Sequence, residues 1–375
     1  MKVCVVVLNS IWYDPRVRKQ INSYMTEGFD ISCVGYKCNR FDEQKVSQVP
    51  CRVVLADYDP AYKGKQSNVF RKLKREQLLN KALTEAIVSE KPDVIHANDL
   101  DALIPAYSAA KKLKCKLIYD SHEIFTENIQ FRNKKIYAYY LRLKEYPLCK
   151  RVDKMICVSN AAAEYFAKKY KIKKPEVITN CTLSNERVFS DSKKDCFEVL
   201  NHGQFYDGRG YDKMVEALPL LKDYPEIKLA LRGMGTLEAD LKARAKELGD
   251  DNIIFYPPVH VKDLIKEASD SMVGVAVTEP ICLNFVMSVS NKLFEYAAAG
   301  LPVIMSDIPE HRYLNKKYEF GIILPENTPE AFAEAVIKLY TDKEFYDKCA
   351  KNSEKLTKEL CWENEFSKIT SFLKE

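Results

Sequence analysis

The chain has 375 residues, too many for one ordinary hydrophobic core, so two domains are expected. Its apolar fraction of 46% and charged fraction of 30% are those of a soluble globular protein, and no run of eighteen apolar residues argues for a transmembrane helix. A net charge of +5, from 58 basic and 53 acidic residues, is too small to argue for nucleic acid.

Residues 1–8 form a short apolar run that ends in polar Asn9-Ser10 with no small-residue cleavage pattern, which reads as a buried first strand and not as a signal peptide. A loop through Arg16 and Arg18 leads into a helix to about Glu27, closed by Gly28, and residues 29–36 are the next strand. The loop lies at the carboxyl edge of a sheet, where doubly wound folds bind ligands. Arg16 and Arg18 admit two readings there, contact with an anionic ligand or a solvated helix face.

Residues 61–90 are basic and helical, with Lys63, Lys65, Arg71, Lys72, Lys74, Arg75 and Lys81 interleaved with apolar positions. A second such segment runs through Arg132, Lys134, Lys135, Arg142, Lys144, Lys150 and Arg151. Each fits either an anionic membrane surface or an ordinary charged face packed on a core.

Between and after these segments, apolar strands end in polar residues. The pattern recurs in Pro92-Asp93-Val94-Ile95-His96-Ala97 followed by Asn98 and Asp99, in Asp120-Ser121-His122-Glu123, at Ser159, and in a strand over 177–180 ending at Asn180. Convergence of Asn98, Asp99, His122, Glu123, Ser159 and Asn180 on one sheet edge predicts part of a cleft. Asp99 and Asp101 read as a helix N-cap and a first-turn acid in preference to a metal pair. Twelve cysteines are scattered without CxxC pairs or zinc spacing, so free thiols in a reducing cytoplasm are expected, with no metal site.

A polar, charged stretch at 184–196 is read as a linker between a domain over 1–183 and a second over 197–361. The second domain repeats the strand–turn–helix rhythm, with helices expected over 211–221 and 261–269 and an irregular loop over 278–289. The turn Gly203 to Gly210, containing Arg209, is glycine-rich without being a Walker A loop or a GxGxxG fingerprint. Glycines there let backbone N–H groups approach an anion, and Arg209 can bridge two phosphate oxygens. Arg232-Gly233-Met234-Gly235 is a second such turn. Ser290-Asn291-Lys292-Leu293-Phe294-Glu295-Tyr296 then opens a helix that Gly300 stops, followed by the strand of Val303-Ile304. Glu295 is placed in the first turn, either complementing the helix dipole or accepting sugar hydroxyls beside a bound phosphate.

These motifs together make the chain resemble the retaining, nucleotide-sugar-dependent glycosyltransferases of family 4, over essentially its whole length. The most specific part is 290–296 with Gly300-Leu301-Pro302-Val303-Ile304. The resemblance implies an α/β fold of two Rossmann-like doubly wound domains facing across a cleft (the GT-B arrangement), with a closing helix over 362–375 returning to the first domain. It implies that Glu295 binds the nucleotide ribose, that Arg209 lies on the donor diphosphate, and that His122 sits near the transferred sugar. Ser288, Ser290, Asn291 and Lys292 would hold the distal phosphate. Gly203, Arg232 and Gly233 would belong to the donor site, with Tyr256 and Pro258 bordering the base. Arg16, Asn98, Asp99, His122 and Glu123 would lie on the acceptor side. The donor would be a nucleotide diphosphate sugar, UDP-linked first and GDP-linked second, with no metal and no bound cofactor. The acceptor would be a saccharide or lipid-linked saccharide in cell-surface polysaccharide assembly. The chain would then be cytoplasmic, with peripheral contact at the inner face of the plasma membrane.

Two departures stand out. The family commonly carries a second glutamate eight residues before the ribose-binding one, where this chain has Met287, and an Arg after the first glycine of the phosphate turn, where it has Gln204. Sugar recognition is then expected to differ, with Glu279 as a substitute. Two rivals follow, a non-catalytic partner subunit and a nucleotide-sugar epimerase.

Overall fold

The computed structural model describes residues 1–8, 11, 14–37, 43–58, 69–190, 192–248 and 252–375. Asn9 and Ser10 of the first loop and Lys63 and Lys65 of the basic segment lie outside the described residues, as do the side chains of Arg71 and Lys72. The chain divides into two compact units, residues 1–179 with 366–375, and residues 180–365.

The first unit is built on a parallel sheet of β1 (Lys2–Val6), β2 (Asp30–Gly35), β3 (Arg52–Leu55), β4 (Val94–Asn98), β5 (Lys116–Ser121), β6 (Lys154–Cys157) and β7 (Glu176–Val177). Their order is β3-β2-β1-β4-β5-β6-β7. Val3 to Val6 are wholly buried, as expected of a parallel strand covered on both faces. The helices are α1 (Pro15–Thr26), α2 (Glu43–Val46), α3 (Val69–Glu90), α4 (Asp99–Leu113), α5 (Lys135–Cys149) and α6 (Asn160–Tyr170). Asp14 starts α1 by accepting from the N–H groups of Arg16 and Val17, with Pro15 at the first helical position. Strand order reverses between β1 and β4, so the carboxyl ends of β1, β4 and β5 and the start of α1 meet at the switch point where such sheets bind ligands.

The second unit has its own parallel sheet, β8 (Phe197–Gln204), β9 (Ile227–Met234), β10 (Ile253–Tyr256), β11 (Val273–Ala276), β12 (Val303–Ser306) and β13 (Gly321–Leu324). Their order is β10-β9-β8-β11-β12-β13. Its helices are α7 (Tyr211–Glu216), α8 (Glu238–Glu247), α9 (Leu264–Ala268), α10 (Leu283–Met287), α11 (Asn291–Ala298), α12 (Pro309–Tyr318), α13 (Pro329–Thr341) and α14 (Lys343–Glu359). The switch point here lies between β8 and β11, and α11 follows β11. The last helix, α15 (Trp362–Lys374), begins in this unit, and its residues from Phe366 onward belong to the first.

Several elements differ from the sequence reading. Residues 278–289 contain α10. The helix expected over 211–221 splits into α7 and a 3-10 turn at Leu218–Leu221, because Pro219 has no N–H to continue the ladder. The one over 261–269 opens as a 3-10 turn at Val261–Asp263 before α9. The strand over 177–180 is only β7. The segment read as a linker is docked within the second unit, with Val188 N–H donating to Ala298 O at 2.9 Å and Lys194 N–H to Asp270 O at 3.1 Å.

Candidate active site

Two clusters of polar side chains stand at the two switch points, one in each unit. In the first unit, Asp120 is fully buried at the end of β5. It accepts from Arg16 Nε and Nη2 at 2.9 Å each and from Gln20 Nε2 at 2.6 Å. Arg16 also donates through Nη1 to Ile178 O at 2.9 Å. The solvated-face reading of Arg16 does not hold. The residue is 2% exposed and its guanidinium donates three hydrogen bonds inside the protein, to Asp120 and to Ile178 O, so it is no solvated helix face. Arg18, two residues on, is exposed.

His122 follows on the same strand end. Its N–H donates to Asp99 Oδ1 at 3.0 Å, and its Nε2 lies 2.9 Å from Asn98 Oδ1 and 3.5 Å from Asp120 Oδ2. Asp99 Oδ2 and Asp14 Oδ2 stand 3.6 and 3.9 Å from Nδ1. Burial opposes a charge on the ring, but the carboxylates of Asp99 and Asp120 outweigh it and lift His122 to about 9. Burial likewise works against ionised Asp120, yet Arg16 and then His122 hold it well below the usual carboxylate range. Asp99 is pushed up to about 7 by burial, with His122 opposing. The N-cap reading of Asp99 is corrected. It is the first residue of α4, sits at φ 67°, and spends its carboxylate on His122. A non-glycine residue held there costs on the order of 1–3 kcal/mol, a strain that clusters at functional sites. Asp101 is a first-turn acid, accepting from Ala102 N–H at 2.9 Å. Asn98 is buried and donates to Val6 O at 3.3 Å, while Glu123 is exposed and accepts from Asn128.

In the second unit, α11 carries Lys292 and Glu295 on adjacent turns. Glu295 is the fifth residue of the helix and lies in its second turn, not its first, so the simple dipole reading loses its geometry. Its Oε2 lies 2.8 Å from His202 Nε2. His202 is buried, lies tilted by 33° against the Tyr296 ring with centroids 4.3 Å apart, and donates its backbone N–H to Tyr296 Oη at 2.7 Å. Lys292 Nζ donates to Asn201 Oδ1 at 2.7 Å and Tyr211 Oη at 3.2 Å. Burial and then the positive charge of Arg209 press Lys292 down to about 7, against the pull of Glu295. The guanidinium of Arg209 rests 4.7 Å from the Phe285 ring centroid.

Gly203, at φ 133°, lies against the Lys292 side chain, since a Cβ there would come 3.2 Å from Lys292 Cε. Gly233 is its register partner on β9, and a Cβ on Gly233 would be 1.8 Å from Gly203 O, so this glycine serves the close packing of two strand ends. Arg232, the register partner of His202, is 7% exposed, stands 3.4 Å from Glu267 and covers the Tyr256 ring at 4.6 Å. Lys194 covers that ring as well, at 4.6 Å, and Tyr256 Oη donates to Glu198 at 2.8 Å. Pro258 is exposed. Ser290 occupies the N-cap of α11 without a side-chain cap bond, Asn291 accepts from Asn180 at 3.2 Å, and Ser288 ends α10. Met287 is the last residue of α10, and Glu279 N–H donates to Gly208 O at 3.0 Å, tying that loop to the phosphate turn.

Asn201, His202, Tyr211, Asp120 and Gln20 were not singled out as site residues from the sequence. The available signal was the polar pair Asn201-His202 ending an apolar strand directly before the glycine turn. Among the described residues, no group of three or more His, Cys, Asp or Glu side chains is arranged to hold a metal ion, and no helix is long and apolar enough to cross a membrane.

Residues 22–182 match the family described as Glycosyltransferase Family 4, and residues 184–356 match Glycosyl transferases group 1. The lipopolysaccharide core biosynthesis glycosyltransferase LpsE of Rhizobium meliloti is 23% identical over 333 residues, 84% of this chain and 85% of that protein. The curated relatives are matched over 35% to 85% of their own lengths. The crystal structure of Anabaena Alr3699/HepE in complex with UDP-glucose superposes with a TM-score of 0.76 at 15% identity, covering 100% of this chain and 99% of that one. A Listeria monocytogenes protein named as a UDP-N-acetylglucosamine 2-epimerase shares the architecture at a TM-score of 0.66 and 13% identity, over 100% and 95% of the two chains. At such identities these structures speak to the fold alone.

Proposed function

Since the chain belongs to the family 4-like glycosyltransferases of the GT-B type, we propose that it moves a sugar from a nucleotide diphosphate sugar to an acceptor hydroxyl with retention of anomeric configuration. The observation that carries this reading is the pair on α11, with Lys292 against Gly203 and Glu295 against His202. A cation beside a side-chain-free backbone suits a diphosphate, and a carboxylate on the adjacent turn suits the hydroxyls of the attached ribose.

In this reading Arg209, Lys292 and the N–H groups around Ser288, Ser290 and Asn291 take the charge that builds on the departing diphosphate. Glu295 accepts from the ribose while His202 holds its other side. The ring of Tyr256 and the exposed Pro258 border the base. Gly233 and Arg232 act from behind, packing and orienting the strand ends. The bond from the anomeric carbon to the diphosphate breaks as the bond to the acceptor oxygen forms on the same face, and the acceptor proton passes to the leaving phosphate. His122 of the first unit, held as a cation by Asp99 and Asp120, orients the transferred sugar, with Asn98 and Glu123 on the acceptor side. The donor is a UDP-sugar first and a GDP-sugar second, and no metal is needed because the two cations supply the charge. The UDP-glucose complex of the Anabaena neighbour supports the first choice. The relative named for lipopolysaccharide core biosynthesis supports a lipid-linked saccharide acceptor, reached by peripheral contact at the inner face of the plasma membrane.

The test follows nucleoside diphosphate release from UDP-, GDP-, ADP- and TDP-sugars, with and without membrane lipid extract, and with and without chelator. Release from one donor, dependent on extract and indifferent to chelator, is expected. Arg209→Ala should lower kcat by about a hundredfold. Glu295→Ala should act mainly through the KM of the donor. Release independent of any acceptor, with the sugar rearranged, would replace the transferase by an epimerase. Donor binding without release from any donor would leave a partner subunit.

A further inference from the structure

Helix α5 carries two apolar stripes. The inner one, Ala138, Leu141 and Cys149, is buried together with Glu145, whose carboxylate accepts from Tyr119 Oη at 2.7 Å and Tyr170 Oη at 2.6 Å. The outer one is Ile136, Tyr139, Leu143 and Tyr146, spaced 3, 4 and 3 apart and so on a single face of the helix. Those four are 87%, 58%, 57% and 38% exposed, and Tyr137 beside them is 46% exposed. A helix needs one apolar stripe to pack on its own core; the second is unexplained by folding.

The charges around that stripe have one sign. Arg132, Lys134, Lys135, Lys150 and Arg151 are exposed. Within residues 128–151 the only carboxylate is the buried Glu145. Arg142 and Lys144, lower on the helix, are paired with Glu127 and Glu76 at 2.9 and 2.6 Å and so tie α5 down to its neighbours. Lys150 lies along the Tyr146 ring, 4.2 Å from its centroid, with its ammonium at the hydroxyl end. An apolar stripe edged by tyrosines and exposed cations, with no exposed anion between them, complements a surface that offers hydrocarbon below and negative charge above. A second copy of the same helix would bring like charges together instead.

We propose that α5 is the docking surface of this protein for an anionic phospholipid bilayer, with Ile136, Tyr139, Leu143 and Tyr146 in the interface and the exposed Lys and Arg side chains among the headgroups. This deepens the membrane part of the function proposed above and uses none of the donor-site chemistry.

The test is co-sedimentation of the full chain with vesicles of phosphatidylglycerol and phosphatidylcholine, against vesicles of phosphatidylcholine alone, at low and high salt. Two variants accompany it, Ile136→Ser with Leu143→Ser, and Lys134→Glu with Lys135→Glu. All four positions are exposed, so thermal unfolding should match the unchanged chain. Binding only to the anionic vesicles, weakened by salt and reduced about tenfold or more in each variant, is expected. Equal binding by the unchanged chain and both variants would overturn the proposal. So would a dimer, seen by light scattering, that the serine variant dissociates while vesicle binding stays the same. Donor release without vesicle binding removes this inference alone, and vesicle binding without release removes the transferase alone.

Discussion

Burial and then Arg209 oppose a positive charge on Lys292 and press it down to about 7, and this has measurable consequences. A diphosphate arriving beside it restores the ordinary preference for the ammonium. Binding of UDP at pH 8 should therefore take up protons, and affinity should fall as pH rises above about 7. Calorimetry in two buffers of different ionisation enthalpy reads this directly, and buffer-independent heats would detach Lys292 from the diphosphate. His122 works with the opposite sign. Its folded value of about 9 lies above the ordinary 6.5, so its stabilising contribution is complete below 6.5 and is lost as pH rises through about 9. The stability gap between the unchanged chain and His122→Gln should close over that window. His202 is a positioning residue in this account. His202→Ala should raise the donor KM about tenfold with kcat nearly unchanged, the size of one hydrogen bond to a charged group. His202→Gln should recover part of it. A fall in kcat alone would assign His202 another task.

The placement of α11 rests on one aromatic ring and one glycine. Tyr296 lies across β11 at Gly274, where a Cβ would come 2.1 Å from Tyr296 Cγ, and its hydroxyl accepts from the end of β8 through His202 N–H. Gly274→Ala should therefore cost about 1–3 kcal/mol through overpacking and shift Lys292 and Glu295 together. A lowered Tm with a raised donor KM is expected, and an unchanged KM would mean that the helix reseats without moving its polar face. Gly300, at φ 72°, ends the same helix as the sequence suggested.

At the scale of the molecule, each unit has its own sheet and switch point, but α15 serves the first unit from the far end of the sequence. Phe366 meets Tyr24 edge-on at 4.8 Å, Ile369 and Leu373 are buried, and Lys374 pairs with Glu27 at 2.8 Å. Burying three such side chains is worth about 1.5–3 kcal/mol each. Removing 366–375 should lower the unfolding temperature of the first unit much more than that of the second, as read by calorimetry. Equal shifts would mean that the two units melt as one.

The alternation of apolar strands with glycine-stopped helices determined two doubly wound sheets from the sequence alone, because parallel strands buried on both faces must read as apolar runs. The motif from Ser290 to Gly300 likewise marked Lys292 and Glu295, whose spacing along one helix is local. What the sequence left open were partners set by register between distant strands. His202 meets Glu295 across 93 residues, and Arg16 meets Asp120 across 104. A polar residue near a strand end looks the same whether it faces ligand, solvent or a buried counter-charge, so Arg16 was left between an anionic ligand and a solvated helix face, and Asp99 was given to a helix cap. Only the tertiary fold, by closing β1, β4 and β5 into one edge, decided that Arg16 pairs with Asp120 and that His122 stands as a cation beside Asp99 and Asp120.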